Sequence, residues 1–224
     1  YNPDDNTVTF APVAGLRAGT GYQVILSSAL GGPLRQSDYS WAFSTAVPQL
    51  EGVAPADGSS GVDIGLTEAV VDFSVAIDAD QAVVDNFVLL QDGLAVALRD
   101  NDPEDRGDGQ YGLAPAVGWQ VGSTYTVQIS PSVTGPLGTD QPITWKFSTA
   151  VPEAVEFTPA AGNDAVVPSD ATVSIVFDNA IDDAALRTAG NVQLLEEGRA
   201  LELSEPAYNP DDNTVTFAPV AGLR

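Results

Sequence analysis

The chain has 224 residues, a net charge of −23 and an isoelectric point near 4.1. Such a surface repels nucleic acid and anionic membranes and favours cations. It contains no Cys and no His, which removes disulfide frameworks, thiolate and Ser-His-Asp nucleophiles, and the usual zinc sites. At 44% apolar residues there is enough material for packed cores, while no apolar run approaches the ~20 residues needed to span a bilayer, so membrane insertion is not expected.

The chain opens and closes on the same words. Residues 1–17 read YNPDDNTVTFAPVAGLR, and residues 208–224 repeat them 207 residues later. A weaker repeat lies inside the first. Trp41-Ala42-Phe43-Ser44-Thr45-Ala46-Val47-Pro48 returns as Trp145-Lys146-Phe147-Ser148-Thr149-Ala150-Val151-Pro152, 104 residues later. Gly19-Thr20-Gly21-Tyr22 returns as Gly122-Ser123-Thr124-Tyr125, 103 residues later. The unit is therefore about a hundred residues, the size of one sandwich domain. Two modules alternate. Residues 1–46 are the C-terminal part of a module A, 47–150 a complete module B, and 151–224 the N-terminal part of another A, so the chain is opened in the middle of one module. The Thr-Ala-Val-Pro joints are short and fixed by proline, which predicts stiff connections.

In chain order, Tyr22, Val24 and Leu26 alternate with polar residues and predict a strand, as does Trp41-Ala42-Phe43. The cluster Pro55-Ala56-Asp57-Gly58 predicts a turn. Val71, Phe73 and Val75 alternate next, and Asp80–Val84 has a helical flavour. Tyr125, Val127 and Ile129 follow, then Val173, Ile175 and Phe177, one more helical turn at Asp182–Thr188, and Val215 with Phe217. Seven or so short strands per hundred residues predict an all-β Greek-key sandwich.

The succession Pro55-Ala56-Asp57-Gly58, Val71–Ser74, Asn86–Leu90, Gly122–Val127 and Trp145–Thr149 resembles bacterial Ig-like repeats. In module A the resemblance is carried by Pro159–Gly162, Ile175–Asp178, Asn191–Leu195, Phe217–Pro219, Leu223 and Gly19–Tyr22. It implies tandem Ig-like modules of about 103–104 residues, such as those strung together in S-layer proteins, surface adhesins and secreted bacterial giants. It also implies an extracellular or cell-surface place. Family members often carry an Asp-x-x-Gly-Asn turn between the last two strands. Here those turns read Leu30-Gly31-Gly32-Pro33-Leu34 and Thr134-Gly135-Pro136-Leu137-Gly138.

Tyr22 and Tyr125 sit where a tyrosine corner would pin the Greek-key crossover by bonding upstream backbone. Trp41 with Phe43, and Trp145 with Phe147, share a strand face and are expected in the core; aromatic rows of this kind also bind carbohydrate. Trp119 holds the place that Leu223 holds in module A. Asp100, Asp102, Glu104, Asp105 and Asp108 place five carboxylates in nine residues. Such a loop could wrap calcium, which takes six to eight oxygens. It departs from an EF-hand because Asp105, not Gly, stands sixth, and the alternative is a solvated hairpin tip. Arg106-Gly107-Asp108 lies in the same loop. No catalytic residue is expected, since the acids fall in turns or on outward faces.

The split module has two readings. The chain is an excerpt of a continuous A-B-A-B array, or the tail of one copy pairs with the head of the next. In the second case the partners are neighbouring copies, joined head-to-tail by strand complementation.

Overall fold

The computed structural model describes residues 1–31, 37–164, 166 and 172–221. Leu223, residues 222–224 of the repeated segment and residues 32–34 of the first turn lie outside them. The architecture is built almost wholly of antiparallel strands. Residues 21–44 form one hairpin of β1 (Gly21–Leu26) and β2 (Tyr39–Ser44).

Eight strands follow in the central module. They are β3 (Leu50–Ala54), β4 (Ala69–Phe73), β5 (Phe87–Gln91), β6 (Leu94–Val96), β7 (Glu104–Gly107), β8 (Gln110–Leu113), β9 (Thr124–Ile129) and β10 (Ile143–Ser148). They make two four-stranded sheets, ordered β3-β4-β8-β7 and β10-β9-β5-β6. Period-two patterning explains the layering. Along β4, Ala69, Val71 and Phe73 are buried while Val70 and Asp72 are not. Along β9, Tyr125, Val127 and Ile129 point inward. The inner faces meet in one core that includes Phe87, Leu89, Tyr111, Leu113, Trp145 and Phe147. Each such side chain contributes about 1.5–3 kcal/mol by leaving water. The edge strand β7 is exposed throughout and carries Glu104, Asp105 and Arg106, charges that discourage edge pairing.

The third part repeats this order and stops early. Its strands are β11 (Ala154–Thr158), β12 (Val173–Phe177), β13 (Leu195–Glu196), β14 (Arg199–Ala200), β15 (Ala207–Asn209) and β16 (Thr214–Phe217). They correspond in order to β3–β8, down to a shared register shift at Leu50/Gly52 and Ala154/Glu156. One sheet is ordered β11-β12-β16-β15, and among the described residues the other comprises the pair β13-β14. Asp182–Thr188 contains one helix turn, α1 (Asp183–Leu186), capped by Asp182. The helical flavour at Asp80–Val84 is a correction: these residues form consecutive turns and bends. Val75 likewise lies beyond the end of β4, where the Ser74 amide turns to the Gln49 carbonyl at 2.9 Å.

Candidate functional site: the module joint and the open half-module

Both tyrosine corners are present. The Arg17 amide donates to the Tyr22 hydroxyl at 2.6 Å, and the Gln120 amide to the Tyr125 hydroxyl at 2.8 Å. A threonine supports each loop from the final strand. Thr45 donates to the Arg17 carbonyl and Thr149 to the Gln120 carbonyl, both at 2.6 Å. These are the threonines of the repeated Phe-Ser-Thr words. Burial pushes the Tyr125 phenol above its ordinary range, so its hydroxyl keeps its proton at any ordinary pH.

The corner loop of the first part presses on the central module. The Ala18 amide donates to Asp78 Oδ1 at 2.9 Å, and Arg17 Nε to Asp78 Oδ2 at 3.2 Å. Arg17 also pairs with Asp80 at 2.5 Å. On the other side of the loop, the Leu137 amide donates to the Gly19 carbonyl at 2.8 Å. Gly19 and Gly135 meet there so closely that a Cβ on Gly19 would sit 2.1 Å from the Thr134 carbonyl oxygen. Both glycines have positive φ, +54° and +73°. Asp78 and Asp80 hold the Arg17 guanidinium above its usual range. The equivalent of Arg17 at the next joint is Gln120, and Asp182, the equivalent of Asp78, caps α1 instead. The sequence signal for this lock was the exchange of Arg17 for Gln120 between otherwise parallel loops. The partner aspartates, 61 and 63 residues away, carry no local mark of it.

The third part presents an apolar hollow of about 450 Å³. Ile175, Phe177, Ile181, Leu186, Val215 and Phe217 line it. Ile175, Phe177, Val215 and Phe217 correspond to Val71, Phe73, Tyr111 and Leu113, which are buried under β9 and β10 in the central module. No described strand pairs with the free edge of β13. Every residue of β12 is half-buried, whereas β4 alternates with full burial.

The aromatic rows divide in the same way. Trp145 is 3% exposed and Phe147 is buried, as expected of core residues, but Trp41 is 48% exposed and Phe43 is also open. The correction for Trp41 and Phe43 has a plain cause: among the described residues β1 and β2 pair only with each other, as a two-stranded sheet. Trp119 is buried edge-on against Tyr125 and Phe147, which withdraws its ring from any carbohydrate.

The acidic stretch is dispersed. Asp102 accepts from the Val84 amide at 2.7 Å and Asp105 from the Gly107 amide at 2.8 Å. Glu104 lies on the exposed edge strand β7 and acts on Glu68, whose pKa it helps to raise, and Asp108 sits in a left-handed turn position with φ 52°. Among the described residues no three acidic side chains gather where a cation could bind. Asp100, Asp102, Glu104, Asp105 and Asp108 therefore do not build the shared oxygen shell that calcium takes. Arg106 contacts buried Glu68, so the Arg106-Gly107-Asp108 triplet is not free to present its guanidinium.

Residues 46–149 match the family model described as bacterial Ig-like domain. A comparison with curated proteins found no match. Among solved structures, the chain is similar to the LD transpeptidase LdtMt1 in complex with imipenem at 17% identity and a TM-score of 0.34, covering 74% of this chain and 56% of that one. It is similar to domains 1–6 of surface layer protein SbsC at 20% identity and TM-score 0.33, covering 73% and 20%. A third is L,D-transpeptidase 3 from Mycobacterium tuberculosis, at 16% and 0.32, covering 72% and 58%. The chain thus spans little more than half of either transpeptidase and a fifth of the surface layer protein. These likenesses are too remote to bear on function. With its two sheets, tyrosine corner and sequence match, the central module at residues 46–149 is a bacterial Ig-like domain.

Proposed function

We propose that this chain is a structural repeat of an extracellular bacterial filament, surface layer or adhesin stalk, in which Ig-like modules in series act as stiff spacers. The observation that carries this is the joint. Arg17, Ala18 and Gly19 are tied to Asp78, Asp80 and Leu137 by side-chain and backbone bonds on both sides of one loop. A loop held from two sides resists bending in a way that a single linker cannot. The acidic surface keeps such an array soluble. A non-catalytic role agrees with a sequence without His or Cys. An adhesive reading, recognising carbohydrate or a host surface, would have to rest on exposed Trp41, since Trp119 and Trp145 lie in the core.

Spin labels at Gln23→Cys and Gln128→Cys, in a chain with no other cysteine, test the stiffness. The two labels report on neighbouring modules. A narrow distance distribution that broadens in Asp78→Ala is expected. A broad distribution in the Asp78 background would overturn the spacer reading.

A further inference from the structure

We infer that the two joints of this chain differ in stiffness: the one entering the central module is locked, and the one leaving it is the hinge. This rests on the structural-repeat reading above and adds where such an array flexes. The joints are built from equivalent parts. Arg17, Ala18 and Gly19 of the first corner loop correspond to Gln120, Val121 and Gly122 of the second. The loops they approach, residues 78–80 and 182–184, hold the same place after β4 and after β12.

Three exchanges take the lock away from the second joint. Arg17 reaches Asp78 at 3.2 Å and Asp80 at 2.7 Å, whereas Gln120 is uncharged and its side-chain amide turns back to the Gly118 carbonyl of its own loop at 3.3 Å. Asp80 becomes Ala184, which offers no acceptor side chain. Asp78 Oδ1 accepts from the Ala18 amide across the joint at 2.9 Å, but Asp182 Oδ1 accepts from the Ala184 and Ala185 amides beside it at 2.9 and 3.2 Å. The remaining acid there, Asp183, pairs with Arg187 one helical turn on. Among the described residues no hydrogen bond or ion pair runs from residues 120–122 to residues 178–186.

Local sequence explains the diversion. Asp182 is followed by Ala184, Ala185, Leu186 and Arg187, all strong helix formers. One helix turn closes and takes the Asp182 carboxylate as its cap. Asp78 is followed instead by Val83 and Val84, whose branched side chains are stiff in a helix. That segment stays in turns and bends, and its carboxylate is left for the neighbouring module. What faces Gly122 across the second joint is a methyl group of Val151, 3.2 Å from where a Cβ would stand. Apolar contact has no preferred direction, so it permits rocking that the oriented bonds of Asp78 resist. One joint of each kind falls within the 207-residue repeat. An array of this repeat therefore bends once every two modules.

The test uses spin labels on the full chain. Gln23→Cys with Gln128→Cys spans the first joint, and Gln128→Cys with Glu156→Cys, on exposed positions of β9 and β11, spans the second. The second pair should give the broader distance distribution. Installing the lock with Gln120→Arg and Ala184→Asp should narrow it. Removing the lock with Arg17→Gln and Asp80→Ala should broaden the first pair. A second distribution that stays broad after the lock is installed would overturn the proposal, because its breadth would then arise within residues 151–221 and not at the joint. Equally narrow distributions at both joints would overturn it while leaving the spacer reading standing, and broad ones at both would overturn the two together.

Discussion

Phe10 and Phe217 stand at the same place in two identical 17-residue stretches, yet Phe217 is 6% exposed and Phe10 is 62% exposed. The turn beside them forms in both copies. Tyr1 donates to Asn6 Oδ1 at 2.6 Å, and Tyr208 to Asn213 Oδ1 at 2.7 Å. Asn6 and Asn213 share a left-handed φ of 57° and 54°. Turn chemistry is thus local, while the strand is not: Thr214–Phe217 is a strand because β12 lies beside it. Phe217→Ala should therefore cost about 3 kcal/mol, whereas Phe10→Ala should stay within about 0.5 kcal/mol. Urea unfolding, with amide exchange read on β12, checks both.

The same contrast marks what the residues reveal by themselves. Alternation at Val71/Phe73 and at Tyr125/Val127/Ile129 is strong because those strands bury one face. The short strands Leu94–Val96 and Glu104–Gly107 leave little pattern, since they are edge strands with exposed or half-buried side chains. Trp41-Phe43 reads like Trp145-Phe147 because the words match, but exposure depends on which sheet faces them. The acids at 100–108 were legible as a cluster in sequence and not in space: alternate strand residues point to opposite faces, and two of the five carboxylates are engaged by backbone amides. The Arg17–Asp78 lock joins residues 61 apart, beyond the reach of any local pattern.

Tyr125→Phe removes the acceptor for the Gln120 amide and leaves the ring stack with Phe147 in place. The amide is part-buried, so losing its partner costs about 1–3 kcal/mol. The central module should melt earlier, with its sheets unchanged by circular dichroism. Tyr22→Phe breaks the same bond in the open hairpin, where water can replace the hydroxyl. Its effect on the melt of the central module should be small.

Glu68 predicts a pH dependence. Its carboxylate is buried over Gly112, where an added Cβ would lie 1.9 Å from Oε2. Burial first, and then the neighbouring Glu104, push its pKa above the usual 4.5, while Arg106 opposes the shift; Arg99 stands 3.9 Å away. The folded module thus holds this proton more tightly than the unfolded chain does. Stability from this group is full below pH 4.5 and falls as pH rises through the raised folded value. In Glu68→Gln that fall should vanish, and the melting temperature should vary less across the acid range. A pH profile identical to that of the unmodified chain would remove Glu68 as its source.

Gly135 offers the sharpest probe of the joint, because its substitution acts on the joint rather than on the core. A Cβ there would sit 2.3 Å from the Ala18 carbonyl oxygen, and φ of +73° already disfavours a side chain. In Gly135→Ala the loops must part. The bond from the Leu137 amide to Gly19 goes first, while Arg17 keeps a long side chain able to follow Asp78 and Asp80. The inter-module distance should lengthen and broaden, and added salt should broaden it further by screening the exposed Arg17 pairs that then carry the joint alone. In the unmodified chain salt should matter less, since the Leu137–Gly19 bond joins two uncharged backbone groups. Small-angle scattering and the labelled pair at positions 23 and 128 read both effects. An unchanged distance in Gly135→Ala would mean that the close approach of Gly19 and Gly135 does not hold the modules together.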